Sequence, residues 1–113
     1  MPRGMIHRDA VTLVSPGERV RDNEGRWKRM GDPMPVAFSR VEHLRRGEEE
    51  VEIGGRKTNS RDCVVWLPLG TPVEQGWKVE IRGVSPLFDD DYRIARIKDV
   101  QTHLRVMCLR EDV

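Results

Sequence analysis

No apolar run in this 113-residue chain approaches the ~18–20 residues that a helix needs to cross a bilayer. The opening stretch from Met1 to Arg8 has no apolar core either, so no signal peptide is expected there. Cysteine is scarce. Cys63 and Cys108 are too few for a disulfide framework and too far apart for a zinc motif. Each lies in an apolar stretch, which reads as a buried free thiol and a reducing, cytosolic site of synthesis. An excess of charge is missing too: Lys+Arg number 20 and Asp+Glu 19, a net charge of +1. A dedicated nucleic-acid binder or a polybasic membrane anchor usually carries a clear basic excess. Charged residues nevertheless make up 35% of the chain, enough for a well-solvated surface or for interfaces built from complementary pairs. The length suits one domain, spanning 1–113, with one core.

Chemical motifs are also lacking. His7, His43 and His103 each stand without a partner at metal-ligand spacing. Asp89-Asp90-Asp91 lacks the ligand spacing and central glycine of a calcium loop and reads as a wet turn. Gly54-Gly55 has neither the strand nor the helix that flanks a phosphate cradle. Ser15, Ser39, Ser60 and Ser85 lie in no nucleophile elbow. Nothing joins the acidic run Glu48 to Glu50 with Asp89 to Asp91 into an acid/base pair. The chain therefore reads as non-enzymatic, with no catalytic residue, cofactor site or metal site. A small-barrel nuclease with a dispersed site is the enzymatic alternative, and Asp90 and Asp91 are its test positions.

What the chain does have is period-two alternation. In Trp77-Lys78-Val79-Glu80-Ile81-Arg82 the apolar side chains point one way and the charged ones the other, as in a half-buried antiparallel strand. Further strands are expected over Ala10 to Val14, Arg26 to Met30, Val36 to His43, Tyr92 to Ile97 and Leu104 to Leu109. Cys63 to Leu67 is nearly all apolar, as a strand buried on both faces is. Turns are expected at Ser15-Pro16-Gly17, Asn23-Glu24-Gly25, Gly31-Asp32-Pro33, Pro68 to Pro72, Gly83 and Ser85-Pro86. A single helical turn is expected at Pro72 to Gln75. The pattern predicts an all-β sandwich or small antiparallel β-barrel.

The stretch from Leu44 to Arg61 breaks the pattern. Val51 and Ile53 are its strong β-formers, and a connection of this length reads as an extended, mobile hairpin arm or as a solvated surface loop. Among the aromatics, Trp66 and Trp77 lie in apolar alternation and read as core. Trp27 sits among Arg26, Lys28 and Arg29 and reads as an interface anchor, with stacking on a base as the alternative.

The ordered set of elements resembles the head-closure, or stopper, proteins of long-tailed bacteriophages. It comprises the early strand Asp9 to Val14, then Gly25-Arg26-Trp27 and a polar variable stretch. Val64-Val65-Trp66-Leu67-Pro68 and Gly70 to Val79 follow, and Tyr92-Arg93-Ile94 and His103 to Leu109 close the set. The chain departs from the family at Trp77, which follows Gly76 where an acidic residue is often found. The resemblance implies a small β-barrel that assembles as a homo-oligomeric ring in the virion neck after synthesis in the bacterial cytoplasm. Its partners would be the portal and its adaptor, tail proteins such as the tail terminator, and packaged double-stranded DNA. It also implies that 44–61 is an arm reaching into a DNA channel. Arg45, Arg46, Arg56 and Lys57 would meet phosphates without reading sequence. Glu48, Glu49 and Glu50 would weaken that grip, and Gly47, Gly54 and Gly55 would serve as hinges. The competing readings are another ring component, such as a tail terminator, and a small-barrel nucleic-acid-binding module with a one-sided basic groove.

Overall fold

A computed structural model describes residues 10–17, 19–29, 31–44, 52–53, 56–57 and 61–111. The strands are β1 (Val11–Ser15), β2 (Arg19–Arg21), β3 (Trp27–Arg29), β4 (Asp32–Val36), β5 (Arg40–His43), β6 (Glu52–Ile53), β7 (Arg56–Lys57), β8 (Cys63–Pro68), β9 (Lys78–Ile81), β10 (Asp90–Asp99) and β11 (His103–Arg110). Among the described residues there is no helix. Seven strands form one antiparallel sheet in the order β4-β1-β9-β10-β11-β8-β5, curled into a half-barrel. This is the small all-β barrel class that the alternation predicts. The other strands form two separate pairs, β2 with β3 and β6 with β7.

The concave side holds the core. Every second residue of β1 and β9 points into it: Val11 and Leu13, then Val79 and Ile81, all without solvent exposure. Tyr92, Ile94, Val106 and Leu67 continue the same face across the sheet. Strand β8 is buried on both faces, as its apolar run demands. Its second face belongs to the convex side, where Ala95, Met107 and Leu109 form a smaller cluster with Leu44 packed against it.

Three local expectations need correction. Gly31-Asp32-Pro33 is not a turn, because Asp32 and Pro33 open β4. An edge strand tolerates prolines that a central strand does not, and β4 is an edge of the sheet. Val36 to His43 is not one strand. The chain bends at Ala37-Phe38 because β4 and β5 are opposite edges of the half-barrel and the connection must cross its open side. Pro72 to Gln75 forms no helical turn; it is irregular chain leading into a turn at Gly76, whose φ of 89° lies in the left-handed region.

The longest strand contains a β-bulge. Ile94 faces Cys108 and Arg96 faces Met107, so Ala95 is an extra residue opposite no partner of its own. In an uninterrupted strand Arg96 and Lys98 would share the inward phase of Tyr92 and Ile94. The bulge resets the phase. Ile97 faces the core residue Val106, while Arg96 and Lys98 turn to the convex side.

Candidate functional site

Of the arm residues proposed from sequence, Arg45, Arg46, Gly47, Glu48, Glu49, Glu50, Gly54 and Gly55 lie outside the described residues. Arg56 and Lys57 form β7, paired antiparallel with β6 through Ile53↔Arg56 and Glu52↔Lys57. Trp27 opens β3 and pairs with Arg21 across the β2–β3 ladder. Trp27 is 58% exposed, with the Arg21 guanidinium 5.8 Å from the centre of its ring. The turn below it is built by Asp22, whose Oδ1 accepts the backbone N–H groups of Glu24 (2.9 Å) and Arg26 (2.8 Å). A side-chain-to-backbone turn of this kind is what Asp favours. Arg26 in turn pairs with Asp22 and Glu24.

The convex face of the sheet brings together residues that no linear motif joins. Register places Arg40 opposite Trp66, Trp66 opposite Arg105, and Arg105 opposite Lys98. This row crosses four adjacent strands, roughly 14 Å at ~4.8 Å per strand. Trp66 is buried within it, its indole N–H donating to Glu42 Oε2 at 3.0 Å and the Arg105 guanidinium lying 5.9 Å from its ring. Along β10, Arg93, Arg96 and Lys98 are exposed, and none has a side-chain ion pair or hydrogen bond among the described residues. Arg96, Ile97, Lys98, Arg105 and Met107 line an open hollow of about 430 Å³. Sequence inspection missed this cluster because the bulge breaks the alternation that would have revealed it.

The acidic run behaves differently. Asp89 sits in a tight loop, accepting the backbone N–H groups of Gly83 (2.9 Å), Val84 (2.9 Å) and Ser85 (3.1 Å). Burial alone would raise its carboxyl pKa, but these donors outweigh burial and hold it below the ordinary value. Asp90 and Asp91 are already in β10 rather than in a turn. Asp90 accepts from Arg110 Nε at 2.8 Å. Asp91 accepts from Arg82 at 2.6 Å and lies 3.4 Å from Lys78 Nζ. Burial would raise the Asp91 carboxyl as well, but Arg82 and Lys78 hold it below its usual value. Three consecutive carboxylates thus serve three separate structural contacts.

Cys63 and Cys108 are free, fully buried and directly opposite each other across β8 and β11. The contact with Cys63, together with burial, raises the Cys108 thiol well above its ordinary pKa. Tyr92 is buried beside them and donates its hydroxyl to the Phe88 carbonyl at 2.8 Å. Asp62, also buried, accepts the Arg110 backbone N–H at 2.8 Å. His43 stacks obliquely on Phe88 and His103 contacts Thr102, so the two described histidines are separate.

The fold and this surface define a small antiparallel half-barrel protein with a cluster of cations on the convex face of its sheet. Comparison with protein-family models and with curated proteins finds no match. Among solved structures, the chain is similar to the solution structure of protein SF1141 from Shigella flexneri 2a. The TM-score is 0.66 at 14% identity, covering 97% of this chain and 96% of that one. A likeness at that identity concerns the fold alone.

Proposed function

We propose that this chain is a structural protein of the neck of a long-tailed phage, a head-closure protein. Its copies would form a ring between the portal-bound adaptor and the tail. The observation that carries the reading is the division of the described residues into a seven-stranded half-barrel and two strand pairs separate from it. A head-to-tail ring needs two different, mutually complementary patches on every subunit. The half-barrel supplies one surface, and the β2–β3 pair, with the exposed indole of Trp27, supplies an anchor for the other. In this reading 44–61 is the arm that meets packaged DNA, with Arg45, Arg46, Arg56 and Lys57 on phosphates. The ring gives the tail its docking surface and helps hold DNA in the filled head.

The test is negative-stain imaging of phage particles that carry this chain tagged at Val113. Label between head and tail is expected. Particles without label would overturn the reading, and label along the tail tube would move the chain to a tail component. In labelled particles, deleting Glu48 to Gly55 is expected to release packaged DNA. Heads that stay full would remove the arm from the mechanism.

A further inference from the structure

The geometry points to a second nucleic-acid contact, on the convex face of the sheet rather than on the arm. There Arg93, Arg96 and Lys98, beside Arg105, form a sequence-independent docking site for the phosphate backbone of double-stranded DNA. The inference does not rest on the neck reading, which assigns DNA to 44–61 and is tested on particles.

Charge complementarity selects the occupant. Arg93, Arg96 and Lys98 are exposed along one strand, and among the described residues their side chains have no ion pair or hydrogen bond. Arg96 and Lys98 are two residues apart on one face, about 6.6 Å, a spacing of the same order as that between phosphates along a nucleic-acid strand. Among the described residues, most acids near this part of the surface are already engaged, Glu80 on the neighbouring strand being the exception. Asp89 holds backbone N–H groups, Asp90 holds Arg110, Asp91 holds Arg82 and Lys78, and Glu42 holds the Trp66 indole. A second copy would bring these carboxylates already paired, whereas a polyanion offers a continuous row of charge.

The same face decides between duplex and single strand. Single-strand binders stack bases on exposed aromatic rings. Trp66, the aromatic residue in the cationic row, is buried and its N–H is committed to Glu42. The row presents no ring to a base, so contact is made with backbone phosphates, which fix position without reading sequence. The Ala95 bulge is what makes the site, because it turns Arg96 and Lys98 to the side on which Arg93 already stands.

The experiment is fluorescence anisotropy of a labelled DNA duplex titrated with the full chain at increasing salt. The three phosphate contacts of this face contribute about −2.7 to the log–log slope, a loss of about 40-fold in affinity between about 50 and about 200 mM salt, in addition to the contribution of 44–61. The double variant Arg96→Gln/Lys98→Gln is expected to bind more weakly and to have a slope shallower by about 1.8, a salt loss about 12-fold smaller over the same range, since two contacts of this face are gone. The swap Arg96→Lys/Lys98→Arg is expected to retain the original slope, and an unchanged melting temperature of both variants shows that they fold. No duplex binding, an unchanged slope in the Gln variant, or tighter binding to a single strand than to duplex would each overturn the proposal. So would a Gln variant that leaves DNA binding intact but alters sedimentation, because the face would then meet another copy of the chain.

Discussion

Tyr92→Phe removes one hydroxyl from the centre of the half-barrel, and its effect should change sign with pH. At neutral pH the hydroxyl donates to the Phe88 carbonyl at 2.8 Å and ties the tight 83–89 loop to β10. Losing a buried hydrogen bond of this kind is worth about 1–1.5 kcal/mol. In a chain this long that lowers the melting temperature by about 5 °C. At alkaline pH the balance reverses. Burial, aided by the neighbouring Cys63 thiol, pushes the Tyr92 hydroxyl well above its ordinary pKa of 10.0, so the fold holds the phenol neutral. Below pH 10 the phenol is neutral in both states and its stabilisation is complete. Above pH 10 it ionises only on unfolding, and the wild-type fold loses about 1.4 kcal/mol per pH unit. The phenylalanine variant has no such group to ionise. The two stability curves should therefore cross about one unit above 10, near pH 11. Urea unfolding monitored by tryptophan fluorescence, at neutral pH and near pH 11, measures this directly. Tyr92 is the chain's one tyrosine, so the tyrosinate absorbance band reports its ionisation alone. A stability difference that stays constant across that range would refute the reasoning, as would a variant equally stable at neutral pH.

Leu13→Ala empties a fully buried position on a strand flanked by partners on both sides, and is expected to lower unfolding stability by about 2–5 kcal/mol in denaturant titration. Asp91 is held below its ordinary value of 3.8, so its contribution is present above about pH 4 and lost as pH falls below it. Asp91→Asn should flatten the acid limb of the stability profile, and an unchanged limb would exclude the Arg82 and Lys78 contacts as its source. Cys63 and Cys108 should resist thiol reagents in the folded chain and react fully once it is unfolded, because both are buried and the Cys108 thiol is raised well above its ordinary pKa. Rapid labelling of the native protein would count against the packing described for β8 and β11.

The parts of the fold legible in sequence are those where one period rules a whole segment. Trp77 to Arg82 alternates without interruption, and β9 lies inside it. Cys63 to Leu67 is apolar throughout, and β8 is buried on both faces. Alternation fails where tertiary position decides the outcome. Pro33 looks like a turn residue until β4 is known to be an edge. The bend at Ala37-Phe38 reflects where two strands end up in the curled sheet, which no local pattern encodes. Strand β2, of only three residues, is too short to show a period. The cationic site was hidden for a related reason. Lys98, Arg105, Trp66 and Arg40 are neighbours only through the ladders of four strands, and Arg93 and Arg96 share a face only because Ala95 is skipped. Cys63 and Cys108 are 45 positions apart in the chain and directly opposite in the sheet.

The skipped residue has a consequence for how the chain tolerates changes in length. A strand counts by twos, so losing one residue from its interior turns everything beyond that point inside out. In β10 the loss of Ile97 would carry Lys98 inward, or Arg96 if the bulge were absorbed instead. Ala95 is different. Without it, Arg93, Arg96 and Lys98 still face outward and Ile94 and Ile97 inward, now in unbroken alternation. The deletion forfeits the hydrogen bond from the Gln75 side chain to the Ala95 carbonyl and the buried Ala95 methyl beside Met107 and Leu109. Deleting Ala95 should therefore leave a folded chain, where deleting Ile97 should not, and circular dichroism separates the two outcomes. At the bulge, evolution can gain or lose a codon without reversing the faces of the strand.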